Sequence, residues 1–299
     1  MTVTPPPGAP AGSAASDAFA GHRDLLFGVV YGMLGSVADT EEVLSETWQS
    51  WARRPAAGEA GARPRACLVR AAMREALARH DAVARRREAH VGPWLPEPLV
   101  RPLDHGAGPA GPPAPLPLPT LVALDELSAL ERAVFVLAEA ACCPPGQIAE
   151  SVGRSPATVR DLGARAAAEV GIRPPADPRA RQRIAARFAE ALLSADPAAF
   201  GGLLAPEVTF RTDSGGTAGA AHLNGDYPRE RAAALLAAGS YRPRADPQVR
   251  CRLVNGEVSP VVTAAGAPFA VLVLEPDPGG GRVRRIYAVT NPGKLGRAG

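Results

Sequence analysis

The stretch Gln147-Ile148-Ala149-Glu150-Ser151-Val152-Gly153-Arg154-Ser155-Pro156-Ala157-Thr158-Val159-Arg160-Asp161-Leu162 carries the most chemistry in this chain. Ile148, Val152, Val159 and Leu162 are spaced to pack two short helices together, and Ala149 lets them approach closely. Gly153 can take the positive φ that a sharp turn between them demands. Ser155 can cap the second helix, and Pro156 suits its first turn, where a missing N–H costs nothing. This is the pattern of a helix-turn-helix, whose second helix enters a DNA major groove. The polar residues available to face DNA are Arg154, Ser155, Thr158, Arg160 and Arg165. Arginine can grip guanine edges bidentately, whereas serine and threonine more often touch phosphate. Asp161 and Glu169 subtract from the local charge, so weak autonomous binding is expected.

Two other groups are chemically pointed. Arg79, Arg85, Arg86 and Arg87 form the densest positive cluster and could neutralise phosphates. Aromatic side chains that could hold a flipped base are missing there, with His80 and His90 the nearest planar rings. Further on, Asp213 and His222 could be an acid–base pair, since a carboxylate beside a histidine tunes it. A glycine-rich loop separates them, and the plainer reading is that Gly215, Gly216 and Gly219 shape that loop. No catalytic residue is assigned. Adjacent Cys142 and Cys143, with Cys67 and Cys251 elsewhere, make neither a disulfide framework nor a zinc site, so no metal is expected. The cysteine pair reads as small apolar filling at a helix end.

These groups must be carried by several domains, since 299 residues suffice for two or three. Residues 1–16 read as a disordered leader without signal-peptide character. Residues 17–92 are helical in pattern. Leu25, Leu26, Val29, Val30, Met33 and Leu34 recur at helical spacing, and Asp39 with Glu42 suggests a capping box. Residues 93–119 are proline-dominated and read as a linker outside any core. The helix-turn-helix unit covers 120–172, followed by a break at 173–180. Residues 181–295 run from helices into strand-like segments at 208–211, 249–254, 258–263, 269–275 and 283–289, an antiparallel-looking α+β domain. A tail, 296–299, remains. The net charge of +3 does not by itself indicate nucleic-acid binding. No apolar run approaches the ~20 residues that span a bilayer, so a cytoplasmic protein without membrane contact is expected.

The stretch Leu26-Phe27-Gly28-Val29-Val30-Tyr31-Gly32-Met33-Leu34-Gly35-Ser36-Val37-Ala38-Asp39, followed by Glu41-Glu42-Val43-Leu44-Ser45-Glu46-Thr47-Trp48, resembles region 2 of extracytoplasmic-function (ECF) sigma factors of the sigma-70 family. The helix-turn-helix unit resembles their region 4. Val91-Gly92-Pro93-Trp94-Leu95-Pro96-Glu97-Pro98-Leu99 is similar to the linker of the SigJ-like subgroup, which carries a C-terminal SnoaL-like domain. Asp213-Ser214-Gly215-Gly216 and Asn291-Pro292-Gly293-Lys294-Leu295 resemble that subgroup's two C-terminal signatures. Departures are Gly32 in place of an arginine, Ser214 and Thr217 in place of a glycine and a lysine, and Gly293 in place of an aspartate.

The resemblance implies a multidomain chain, with an all-α region 2 and an all-α region 4 followed by an α+β cone-shaped SnoaL-like domain. It implies an alternative sigma factor that binds core RNA polymerase and promoter DNA without a cofactor. The helix from Asp39 to Trp51 would dock on the β′ coiled coil through Asp39, Glu42, Glu46 and Trp48, because an acidic face suits a basic partner helix. Arg79, Arg85, Arg86 and Arg87 would lie near the −10 element. Trp94, Asp213, Gly215, Gly216, Asn291 and Lys294, the chain's only lysine, would form a regulatory contact between domains. The C-terminal pocket could hold an unknown small ligand. The alternatives are a SnoaL-like cyclase or isomerase with vestigial sigma regions, and a degenerate sigma relative that binds DNA without initiating.

Overall fold

A computed structural model describes residues 14–53, 63–103, 115–171, 177–216, 225–226, 229–238, 241 and 246–296. The chain divides into two compact units. One comprises Met1–Arg86, Pro109–Leu116 and Ala123–Ile172, the other Arg87–Gly108, Pro117–Val122 and Arg173–Gly299.

The first unit opens with α1 (Ala14–Leu34), α2 (Val37–Ala52) and α3 (Pro64–Glu88). Leu26, Val29, Val30, Met33 and Leu34 are buried, as their helical spacing requires, with Val43 and Leu44 of α2 and Leu68, Val69 and Met73 of α3. The cap of α2 is Ser36, whose hydroxyl accepts from the Asp39 amide at 3.3 Å. Asp39 therefore falls in the first turn instead of at the expected cap. Gly35, at φ +62°, ends α1 so abruptly that the next residue is already extended and free to cap.

After α4 (Leu118–Ala123), the unit continues through a 3-10 turn (Leu124–Glu126), α5 (Ala129–Glu139), α6 (Pro145–Val152) and α7 (Pro156–Val170). The helix-turn-helix is α6 and α7. Gly153 adopts φ 64° and ψ 41°, the Ser155 hydroxyl accepts from the Thr158 amide, and Ile148, Val152, Val159 and Leu162 are buried. Helices α1 and α5 pack closely. A Cβ on Gly32 would lie 3.0 Å from a Val136 methyl, so an arginine, usual here in the resembled family, would force the helices apart. Arg132 of α5 is 1% exposed; its Nε donates to the Gly32 carbonyl at 3.0 Å and its Nη1 to Asp125 at 2.5 Å. Arg65 of α3 donates to the Ala141 carbonyl. Cys143 is buried as expected, whereas Cys142 is exposed at φ 46° and fills no core.

The second unit is built on a sheet with strand order β1-β4-β5-β6-β7-β2-β3. These are β1 (Val100–Arg101), β2 (Leu204–Asp213), β3 (Gly225–Asp226), β4 (Pro247–Val254), β5 (Glu257–Ala264), β6 (Ala267–Pro276) and β7 (Val283–Val289). Adjacent strands are antiparallel except β2 and β7, which run parallel, contrary to the all-antiparallel expectation. A parallel neighbour needs a long connection, and everything from α10 (Arg229–Ala237) to β6 lies between these two strands. Asn255-Gly256 and Ala265-Gly266, all at positive φ, form the tight turns of the β4–β5 and β5–β6 hairpins.

Each face of the sheet has its own core. Against one face pack α8 (Pro178–Ser194), α9 (Pro197–Leu203) and α10, with Phe188, Phe200, Phe210 and Tyr241 fully buried. The other face, with Val261, Val271, Val273, Tyr287 and Val289, is covered by Leu95, Leu118, Val122 and Leu295 of α11 (Pro292–Leu295). The proline-rich segment read as a linker outside any core therefore supplies two residues, Leu95 and Leu118, to one. Leu95 and Leu118 are 0% exposed, and β1 extends the sheet edge. Prolines block helix but not burial, and this face of the sheet offers an apolar surface that must be covered. Asn255 holds the segment in place: Leu99 N donates to its Oδ1 at 3.0 Å, and its own N donates to the Leu99 carbonyl at 2.9 Å.

The buried guanidinium of Arg132 generates a prediction. Asp125→Ala removes its counter-ion and should lower the stability of the first unit by about 3 kcal/mol. Adding Arg132→Met, which removes the buried charge at similar volume, should recover most of that loss in thermal unfolding.

Candidate functional site

On α7, Val159, Leu162 and Ala166 face inward. Helical geometry then sets Arg160, Asp161 and Ala164 on the opposite side, with Thr158 and Arg165 on one flank. All five are exposed. Arg165 Nε donates to Glu131 Oε1 of α5 at 2.9 Å, and Ser155 and Thr158 share a hydroxyl–hydroxyl hydrogen bond of 2.9 Å. Glu131 also completes the capping box of α5 with Ser128. Its hydrogen bond from Ser128 outweighs burial and, with Arg165 assisting, holds its carboxyl below the usual range. Arg154 is exposed beside the turn. Arg160 is thus the exposed arginine on the side of α7 away from the helical core, while Ser155, Thr158 and Arg165 also carry structural bonds.

The four arginines of α3 do not form one cluster. Arg79 pairs with Glu42 and, at 2.8 Å, with Glu46, and lies 3.9 Å from Asp39. Arg86 pairs with Asp39. Arg87 lies over the Trp94 ring, 3.9 Å from its centroid. Arg85 is exposed. Residues expected on two separate surfaces, carboxylates for a protein partner and guanidiniums for DNA, are therefore bound to each other. Sequence order conceals this because α2 and α3 bring together groups 33 to 47 positions apart. Trp48 is half-buried against Phe19 at 5.2 Å, and Trp51 donates its indole N–H to the Ala15 carbonyl.

In the second unit, Trp94, Asp213, Gly215, Gly216, Asn291 and Lys294 converge. Asp213, 1% exposed at the end of β2, is the hub. Its carboxylate accepts from Lys294 Nζ at 2.6 Å, Leu95 N at 2.9 Å, Gly215 N at 3.1 Å and Asn291 Nδ2 at 3.3 Å. His90 Nε2 lies 3.0 Å away. The Asp213 carbonyl accepts from the amides of Thr290 and Asn291. Lys294 also donates to the Leu95 carbonyl at 2.6 Å and sits 4.1 Å from the Trp94 ring centroid. Gly215, at φ +61°, could carry no side chain, since a Cβ would lie 2.6 Å from Asn291. Asn291 caps α11 by accepting from Gly293 N.

Electrostatics follows from that geometry. Burial alone would push the Asp213 carboxyl up. The Lys294 ammonium and its hydrogen bond, the Leu95 amide and His90 outweigh it, leaving the group below the usual carboxylate range. Burial draws Lys294 below the ordinary lysine range, with Asp213 opposing. The histidine beside Asp213 is His90; His222, the partner considered from the sequence, lies outside the described residues. Sequence reading also missed Leu95 as a donor, although a lone lysine in an apolar tail implies a carboxylate partner once buried.

Residues 120–170 match region 4 of the sigma-70 family. Over 212 residues the chain is 34% identical to the ECF RNA polymerase sigma factor SigJ of Mycobacterium tuberculosis, covering 66% of this chain and 64% of that protein. The match thus spans just under two thirds of the relative's length. The fold is similar to the crystal structure of the Mycobacterium tuberculosis extracytoplasmic function sigma factor SigJ. There the TM-score is 0.70 at 27% identity, covering 93% of this chain and 97% of that one. No helix among the described residues is long and apolar enough to cross a membrane.

The Asp213 hub should be visible in acid. A carboxyl depressed by folding contributes stability that is complete above its unfolded value of ~3.9 and is lost as pH falls through the folded value. Asp213→Asn should therefore destabilise the second unit at neutral pH by about 3 kcal/mol, leaving Lys294 buried without its counter-ion. It should also flatten the acid limb of the stability profile measured by urea titration below pH 4.

Proposed function

We propose that this protein is an alternative sigma factor of the ECF type that binds core RNA polymerase and directs initiation at specific promoters. The observation that carries this reading is the region 4 helix-turn-helix, with Arg160 aimed outward, in a chain similar along most of its length to SigJ. Helices α1–α3 act as region 2, with α2 as the docking helix for the β′ coiled coil. Run-off transcription with purified core polymerase tests the proposal. A discrete, promoter-dependent transcript is expected, and its absence with intact core binding would favour a relative that does not initiate.

The second unit modulates this activity in cis. Support comes from chain order: the residues that leave α3 and those that enter region 4 are both part of that unit's core, through Leu95, Leu118 and Val122. Regions 2 and 4 must reach two promoter elements, so a unit that builds in the segment between them governs how far that segment can extend. Lys294 of the tail motif donates to the carbonyl of Leu95, in the proline-rich segment that follows α3. Removing residues from Asn291 onward should change promoter output while leaving core-polymerase binding largely intact. Unchanged output would remove this modulatory role.

We read the protein as a non-enzyme that works without a cofactor. The helix-covered side of the sheet is packed with apolar side chains, including the edge-on pairs Phe188–Phe200 and Phe210–Tyr241. Asp213 is committed to Lys294, which makes it a poor acid–base catalyst.

DNA reading by α7 makes a further prediction. If Arg160 reads a base, Arg160→Ala should cost ~1–3 kcal/mol and relax specificity at one promoter position. If it contacts phosphate, binding should weaken on all sequences and the salt slope should fall by about one. Arg160→Ala combined with Arg165→Ala should abolish reporter transcription; an unaffected reporter would count against α7 as the DNA reader.

A further inference from the structure

The carboxylates of α2 are not free to meet a partner. Glu42 and Glu46 lie on its exposed side, and both are bound by the guanidinium of Arg79, which also lies 3.9 Å from Asp39. Arg86 holds Asp39 from a second direction. The Arg79 side chain is only 22% exposed, whereas those of Glu42 and Glu46 are 63% and 49% exposed. The cation is thus seated behind the anions it neutralises, an arrangement poorly suited to a phosphate contact. Beside Glu46, an open cleft lined by Gln49, Ser50, Arg53 and Glu75 offers further polar groups on the same side. An incoming basic helix would meet carboxylates that already have a partner.

We infer that Arg79 is an internal counter-ion of the α2 docking face, one that core polymerase must displace, and that it limits the affinity and salt dependence of docking. This rests on the reading of α2 as the docking helix. The chemistry is an exchange of ion pairs. In the free protein, Glu42 and Glu46 spend their charge on Arg79; in the complex, basic side chains of the polymerase take it over. Each new pair forms at the expense of an old one, so the net electrostatic gain is small. Without Arg79, the carboxylates would present their full charge to the partner. Charges at the rim of an interface act mainly on the association rate and on its sensitivity to salt.

The test is a titration of full-length protein against core RNA polymerase at low and moderate salt, with folding checked by thermal unfolding. Arg79→Met should bind about two- to fivefold tighter at low salt, the range expected for one partly exposed ion pair. The gain should appear in the association rate and shrink as salt rises. Arg79→Lys should behave like the unaltered protein, since it keeps the charge. Glu42→Gln with Glu46→Gln should weaken binding, and adding Arg79→Met to that pair should bring no gain. Should Arg79→Met unfold, Arg86→Gln, which releases Asp39 from an exposed position, should give a smaller gain of the same sign. Weakening by the glutamate pair, with folded Arg79→Met binding no tighter than the unaltered protein, would overturn the inference alone. Normal core binding by Arg79→Met with loss of promoter affinity would overturn it too, by making Arg79 a phosphate contact. No effect of the glutamate pair would remove the docking reading and this inference with it.

Discussion

A carboxylate withdrawn from water needs several donors at once, and Asp213 obtains them from segments far apart in the chain. Lys294, Leu95, Gly215 and Asn291 all donate to its carboxylate, and the Asp213 carbonyl receives the amides of Thr290 and Asn291. The end of β2, the segment after α3 and the tail after β7 are thereby tied at one point. Gly215 has no side chain because Asn291 occupies that space. Lys294 cannot be buried without Asp213, and Trp94 shares its ring with Lys294 and Arg87. The apolar contacts of Leu95 and Leu295 with the sheet are possible because this polar hub is satisfied beside them.

In the first unit, charge is managed by mutual neutralisation. The two acid-and-base groupings of α2 and α3 form one network, and Arg165 of α7 is held by Glu131. A chain with a modest net charge of +3 can still bind DNA and a basic partner if such pairs are exchanged on binding instead of standing exposed beforehand. Arg132 plays a different part. Fully buried between α1 and α5, it answers the Gly32 carbonyl and Asp125, where only a glycine lets the two helices come so close.

The helix-turn-helix was determined by sequence alone, because its cap, its left-handed glycine and its apolar spacing act within a few residues. The five longer strands were legible for the same reason, from short runs rich in apolar and β-branched residues. The two-residue strands β1 and β3, by contrast, have no local signal, being created by what lies next to them. Tertiary structure alone decided that β2 lies parallel to β7, that Leu95 and Leu118 are core residues in a proline-rich stretch, and that Arg79 meets Glu42. It also decided that Asp213 pairs with Lys294, 81 positions away, with His90 as its neighbouring histidine, 123 positions away. The residue types made each of these groups chemically pointed. A buried charge requires a partner, but which partner it finds depends on topology, and topology is set by covering both faces of the sheet.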